Sequence, residues 1–289
     1  MLTSKENNIK VFYDSSDRYL EICESRSEEN FKNILDVIQQ YLPKNASLLE
    51  FGCGTGNLAS LVADKEYNVL GVDISDRFIE YANSTYKPSR GSLAFKTVGF
   101  GKLPFADESF DCIYTCAVLE HCYKVDEIIL DFHRILKRGG ILIIGTPNML
   151  SPFTRALLVA KTWMGIRSRY HLYGTPAFLA KSIWYNIKKI YSKKPDLIYV
   201  TPKYDGFNES DEDVTYLSTH KDYLQLLKPL NYKIHELARG DSRVGKIIAK
   251  VFPKLSGEVL IVAAKRALLA SFGVLIELME APGVIAHSI

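Results

Sequence analysis

The run from Leu48 to Leu58, Leu-Leu-Glu-Phe-Gly-Cys-Gly-Thr-Gly-Asn-Leu, constrains this chain more than any other stretch. An apolar pair leads to Glu50, glycines alternate at Gly52, Gly54 and Gly56, and a helix-like segment follows. Glycines there let the backbone turn sharply at the end of a buried strand and approach a ligand with no side chain between. The helix beyond presents unpaired N–H groups to that ligand. The spacing is G-x-G-x-G, not the G-x-G-x-x-G of dinucleotide binders, and an acid precedes the first glycine. Seventeen residues after Gly56, Val69-Leu70-Gly71-Val72-Asp73 reads as a second buried strand ending in a carboxylate. A carboxylate in that place can accept both hydroxyls of a ribose.

Around this unit the pattern alternates between helix and strand. Residues 7–42 read as helices, with Phe31, Ile34, Leu35 and Ile38 on one face. Strands are predicted at 47–51, 68–72, 93–97, 110–115 and 141–145, with helices at 57–65, 76–86 and 124–137 between them, and Gly139-Gly140 as the turn into the fifth strand. Such alternation implies a parallel sheet covered by helices on both faces. The rhythm breaks over 149–215 and returns as a helix at 219–228 and strands at 231–237 and 258–264. The expected divisions are a helical cover (1–42), a Rossmann-like core (43–148), a basic aromatic insertion (149–215), the rest of the sheet (216–266) and an apolar tail (267–289).

Glu50, the glycine triplet and Asp73 together resemble the class I S-adenosylmethionine (SAM) dependent methyltransferases. Leu103-Pro104-Phe105-Ala106-Asp107-Glu108-Ser109-Phe110-Asp111 is similar to that family's L-P-F-x-D-x-S-F-D, and Val118-Leu119-Glu120-His121 to the V-L-E-H of its ubiquinone-biosynthesis O-methyltransferase-like, type 11 group. The match is specific over about 45–148 and looser over 215–266. It implies an α/β fold with a Rossmann-like seven-stranded, mostly parallel sheet whose last strand is antiparallel, plus a helical lid insertion. It also implies SAM as cofactor: backbone around Gly52, Cys53, Gly54 and Gly56 at the methionine half, Glu50 near the ammonium, Asp73 on the ribose and Ile74 beneath the adenine. Four residues before Leu103 the family usually has an aspartate for the adenine amine; this chain has Gly99, which leaves Phe100 to hold the base. Thr115, Cys116 and the residues up to His121 should border the transferred methyl group. His121 could serve as general base on a hydroxyl, or merely cap the next helix and fix the loop around Glu120.

The remaining features bear on acceptor and compartment. The net charge of +3 is too small to argue for a nucleic-acid partner. Between Ser151 and Lys203, however, stand ten Lys or Arg and one acid, so the insertion carries +9 and the rest of the chain −6. Both tryptophans, Trp163 and Trp184, lie there among several tyrosines. A basic aromatic lid suits a small-molecule or glycan-type acceptor that is anionic or lipid-linked, though a solvated helical face over an aromatic core reads equally well. The five cysteines lack zinc spacing and His171, His220 and His235 are scattered, so no metal is expected; His220, near Asp211-Glu212-Asp213, could line the acceptor site. The polar N-terminus has no signal core, and a cytoplasmic protein is expected. The tail is too short to span a bilayer and reads as a homodimer or docking helix or a peripheral membrane anchor. The leading expectation is O-methylation of a small molecule or glycan precursor. The alternatives are a membrane-associated quinone or lipid-ring O-methyltransferase and a catalytically inactive binding subunit of the same fold.

Overall fold

The computed structural model describes residues 4–88, 90–148, 150–165, 175–192, 194–202, 213–239 and 258–266. Three helices open it: α1 (Ser4–Ser15), α2 (Asp17–Glu24) and α3 (Glu28–Tyr41). α3 starts at a capping box, with the Ser27 N–H donating to Asn30 Oδ1 at 2.8 Å. It buries Phe31, Ile34, Leu35, Val37 and Ile38, the face set by its helical spacing. The alternating part follows as β1 (Ser47–Phe51), α4 (Asn57–Ala63), β2 (Asn68–Asp73), α5 (Asp76–Thr85), β3 (Ser92–Thr97), β4 (Phe110–Cys116), α6 (Val125–Ile135) and β5 (Leu136–Pro147). Then come α7 (Pro152–Trp163), α8 (Pro176–Tyr191), the short β6 (Ile198–Tyr199) and β7 (Tyr216–Leu217), α9 (His220–Leu227), β8 (Tyr232–Arg239) and β9 (Glu258–Lys265).

Seven strands form one sheet in the order β3-β2-β1-β4-β5-β9-β8. β1 to β5 pair in parallel, and β9 runs antiparallel between β5 and β8. This is the Rossmann-like sheet that the resemblance implied. Two apolar layers enclose it. Leu35 and Ile38 of α3 and Leu58 and Val62 of α4 pack with Leu48 on one face. Ile129 and Phe132 of α6 and Tyr223 and Leu227 of α9 pack with Leu49 on the other. Neighbouring leucines of β1 thus serve opposite layers, as a strand covered on both faces requires.

Two boundaries depart from the sequence reading. α6 ends at Ile135 rather than 137, and β5 already begins at Leu136, before Gly139-Gly140. Leu136 opposes Phe110, the register shifts, and pairing resumes at Cys112 and Ile141. Gly139, at a left-handed φ of +76°, lies in the irregular stretch. The glycine pair therefore forms an irregularity within the strand, not a turn leading into it.

Among the described residues the insertion contains two helices. Each starts at a hydroxyl cap followed by proline: Ser151 Oγ accepts from Thr154 N–H at 3.3 Å, and Thr175 Oγ1 from Phe178 N–H at 3.2 Å. Phe178 and Tyr185 of α8 pack on a small layer of Leu150, Val214 and Leu217. The tail at 267–289, His171, and residues 166–174 and 203–212 of the insertion fall outside the described residues. Among the described residues no helix is long and apolar enough to cross a membrane.

Candidate active site

β1 lies between β2 and β4, so the chain leaves it on one side and later returns on the other. Open α/β sheets bind ligands beyond the carboxyl ends of strands at such a reversal. A cavity of about 1030 Å³ opens at this place, lined by the β1, β2 and β4 ends and by residues of α1, α2 and α3.

The glycine turn after β1 forms one wall. Gly52, Gly54 and Gly56 all hold left-handed φ angles, +74°, +52° and +87°. A Cβ on Gly52 would stand 2.4 Å from the Val118 methyls, and one on Gly56 2.5 Å from the Phe95 ring. Glycine thus allows both the turn and the close approach of neighbouring side chains. Of the expected cofactor residues, Glu50, Gly52, Cys53, Gly54, Asp73, Ile74, Phe100 and Cys116 line the cavity. Gly56 and Thr115 do not: Gly56 caps α4, where a Cβ would meet Phe95, and the Thr115 side chain is shut within β4.

Two carboxylates stand in this wall. Glu50 is buried, and its Oε2 accepts the Tyr114 hydroxyl at 3.2 Å. Burial pushes its pKa well up; the Tyr114 hydrogen bond opposes the rise and the nearby Asp73 charge adds to it. A bound cation would stabilise its charged form. Asp73 Oδ2 accepts the Gly54 N–H at 2.8 Å and Oδ1 the Ser75 N–H at 3.0 Å. Burial raises this pKa too, against those backbone hydrogen bonds. The two N–H groups fix the carboxylate and leave each oxygen acceptor capacity. Thr55 Oγ1, also in the wall, is buried without a hydrogen-bond partner. Buried carboxylates beside an unpartnered hydroxyl suit a ligand that is cationic and carries hydroxyls.

A different construction lines the same cavity. After β4, Ala117 takes a left-handed φ of +54°, strain located in the cavity wall. A single 3-10 turn, Leu119–His121, follows. His121 Nδ1 lies 3.1 Å from Asp213 Oδ2, and its Nε2 4.0 Å from Glu120 Oε1. The same Asp213 oxygen accepts the hydroxyls of Tyr13 in α1, at 2.7 Å, and Tyr19 in α2, at 3.1 Å. Burial alone would raise the Asp213 pKa, but His121 and the two tyrosine hydrogen bonds outweigh it and hold it at about 2. Thr215 fastens this segment to the turn: its N–H donates to the Glu120 carbonyl at 2.9 Å, and its hydroxyl to the Cys122 carbonyl at 3.1 Å. α1 is also tied to the Asp73 loop, with Lys10 Nζ 2.8 Å from Asp76 and the Ser75 hydroxyl 2.8 Å from Asp14. Asp213, Tyr13 and Tyr19 escaped the sequence reading. His220, offered there as an acceptor-site residue, is buried at the start of α9 and does not line the cavity. No group of His, Cys, Asp and Glu able to hold a metal occurs among the described residues.

The family model for the methyltransferase domain matches residues 49–144. Residues 49–144 are a methyltransferase domain. A Mycolicibacterium smegmatis protein named as a SAM-dependent methyltransferase is 30% identical over 122 residues, 40% of this chain and 45% of that protein. A ubiquinone biosynthesis O-methyltransferase of Agrobacterium fabrum is 33% identical over 101 residues, 35% and 40% of the two chains. This chain therefore spans about half or less of these curated relatives. A Haloferax volcanii protein solved in complex with the Trm112 methyltransferase activator superposes at a TM-score of 0.58 with 13% identity, covering 92% of this chain and 99% of that one, which shows the shared fold. The domain's cofactor is SAM, and its matched stretch includes Glu50, the glycine turn, Asp73 and His121.

Proposed function

We propose that the whole chain is a SAM-dependent methyltransferase acting on a hydroxyl of a small-molecule or glycan-precursor acceptor. The observation that carries this reading is His121, 3.1 Å from Asp213, lining the same cavity as Glu50 and Asp73. Glu50 would hold the cofactor's ammonium, Asp73 its ribose hydroxyls, and Ile74 and Phe100 its base. When bound, SAM supplies a methyl group on a sulfonium, an electrophile reactive enough that alignment of the acceptor provides much of the acceleration.

The chain's own residues then have one proton to manage. Asp213, kept ionised by its depressed pKa, stands 3.1 Å from His121 Nδ1 and would favour a proton on that nitrogen. A proton on Nδ1 makes Nε2, which lies 4.0 Å from Glu120 Oε1, the nitrogen that would take a proton. Nε2 takes the acceptor hydroxyl's proton as the oxygen attacks, which matters most for an aliphatic alcohol and least for a phenol. The similarity to ubiquinone biosynthesis O-methyltransferases favours a second reading, a phenolic quinone or lipid ring as acceptor. His121→Ala separates the two. With an aliphatic acceptor turnover should fall at least tenfold with SAM affinity little changed, and with a phenol much less. Turnover unchanged on every acceptor would remove the base assignment.

A further inference from the structure

The insertion presents an apolar face to solvent. On α8, Ile183, Trp184, Ile187 and Tyr191 recur at helical spacing, and all are exposed, Trp184 at 56% and Tyr191 at 81%. The neighbouring α7 adds exposed Leu157 and Trp163, the latter at 80%. Soluble surfaces carry single exposed apolar residues, but a run of large ones along one helix marks a contact site. Charge flanks this face with one acid near it: Asp196 pairs with Lys188 Nζ at 2.7 Å, and Arg155 and Lys189 are buried, so Lys181 and the partly neutralised Lys188 are the cations beside the α8 face. From Ser151 to Pro195 the sequence holds nine Lys or Arg and no Asp or Glu. Lys188 Nζ sits 5.6 Å over the Trp184 ring and 5.8 Å over Tyr185, and Lys181 Nζ 5.9 Å over Tyr185, so apolar and cationic groups share one surface.

We propose that the exposed face of α8 rests on an anionic lipid bilayer. An amphipathic helix with Trp and aliphatic residues on one side and lysines beside them binds in the interface plane, its apolar face among the acyl boundary and its ammonium groups at the headgroups. The charge pattern selects this occupant. A second copy of the chain would bring two strongly basic insertions together, which repel. Trp184 and Tyr191 could stack on bases, but the exposed aliphatic Ile183 and Ile187 between and beside them gain only from an acyl layer. At 16 residues α8 lies on a bilayer rather than through it. The inference is independent of the acceptor's identity, and lipid binding can be read without any turnover.

Trp163 and Trp184 are the only tryptophans of the chain, so intrinsic fluorescence reports on this surface directly. With Trp163→Phe in the full chain, Trp184 is the sole emitter. On titration with vesicles rich in phosphatidylglycerol its emission should move to shorter wavelength and be quenched by lipids brominated in the acyl chain. Neutral phosphatidylcholine vesicles should bind at least tenfold more weakly, and raised salt should release the protein. Trp184→Ser with Ile187→Ser, both exposed, should abolish most vesicle co-sedimentation while thermal stability is retained. Four results overturn the proposal: no vesicle binding at low salt; co-sedimentation with Trp184 emission unchanged, which places the contact on another segment; single-stranded RNA displacing the vesicles; or concentration-dependent dimers that the double variant dissolves.

Discussion

Glu50, Gly52, Gly54 and Asp73 belong to one strand-turn-helix-strand unit, whereas the group around His121 and Asp213 is gathered from across the chain. Tyr13 and Asp213, joined by a 2.7 Å hydrogen bond, stand 200 positions apart. The first wall is dictated locally: parallel pairing of β1 with β2 sets Phe51 beside Val72 and brings the Gly54 N–H to the Asp73 carboxylate. The second exists only when α1, α2, the 3-10 turn and the segment after the insertion have all docked. One wall can therefore be kept while the other is rebuilt, which is how a shared cofactor site can serve different acceptors.

The sharpest way to break the comparison is Gly56→Val. It forces a β-branched residue into a left-handed φ and a Cβ into the Phe95 ring, and should cost more than about 3 kcal/mol in urea unfolding, because strain and overpacking add. Asp73→Ala should leave the fold in place and weaken SAM binding in calorimetry by about 1.5–3 kcal/mol, the scale of hydrogen bonds to a charged group. The second wall should respond in turnover instead. Asp213→Asn should lower kcat about tenfold with SAM affinity unchanged.

Asp213→Asn also has a signature in acid. A folded pKa of about 2 against an ordinary 3.8 means that this carboxylate stabilises the fold above 3.8 and loses that contribution as pH falls through about 2. The wild type should therefore lose stability across that window more steeply than the variant. The smallest effect belongs to Tyr19→Phe, which removes one of the two tyrosine hydroxyls that donate to Asp213. It should cost about 1 kcal/mol or less of stability, and turnover should fall no more than severalfold. A loss of SAM affinity in either Asp213→Asn or Tyr19→Phe would show that the two walls are not separable.

The same contrast explains what the residues alone disclose. The strands, their parallel order and the cavity-facing Glu50, Gly54, Asp73 and Ile74 are legible because one β-α-β unit carries its own register and turn chemistry. Thr115 stays off the cavity lining for a reason the residues do not disclose. β4 is buried on both faces, so no polar and apolar alternation says which side chains reach the cavity. Gly139-Gly140 misled because a glycine pair serves an irregular strand as readily as a turn. Asp213 ends an acidic run that closes a basic stretch, a visible oddity, but nothing local reports that it meets His121 rather than His220. Tyr13 and Tyr19 carry no signal at all beyond an amphipathic helix.

Titration calorimetry of the full chain with SAM, S-adenosylhomocysteine and NAD tests the central claim most directly. A pocket made by glycines, closed by Glu50 and Asp73, predicts micromolar binding of both adenosyl ligands and none of NAD. Binding of NAD, or no heat with either adenosyl compound, would contradict it.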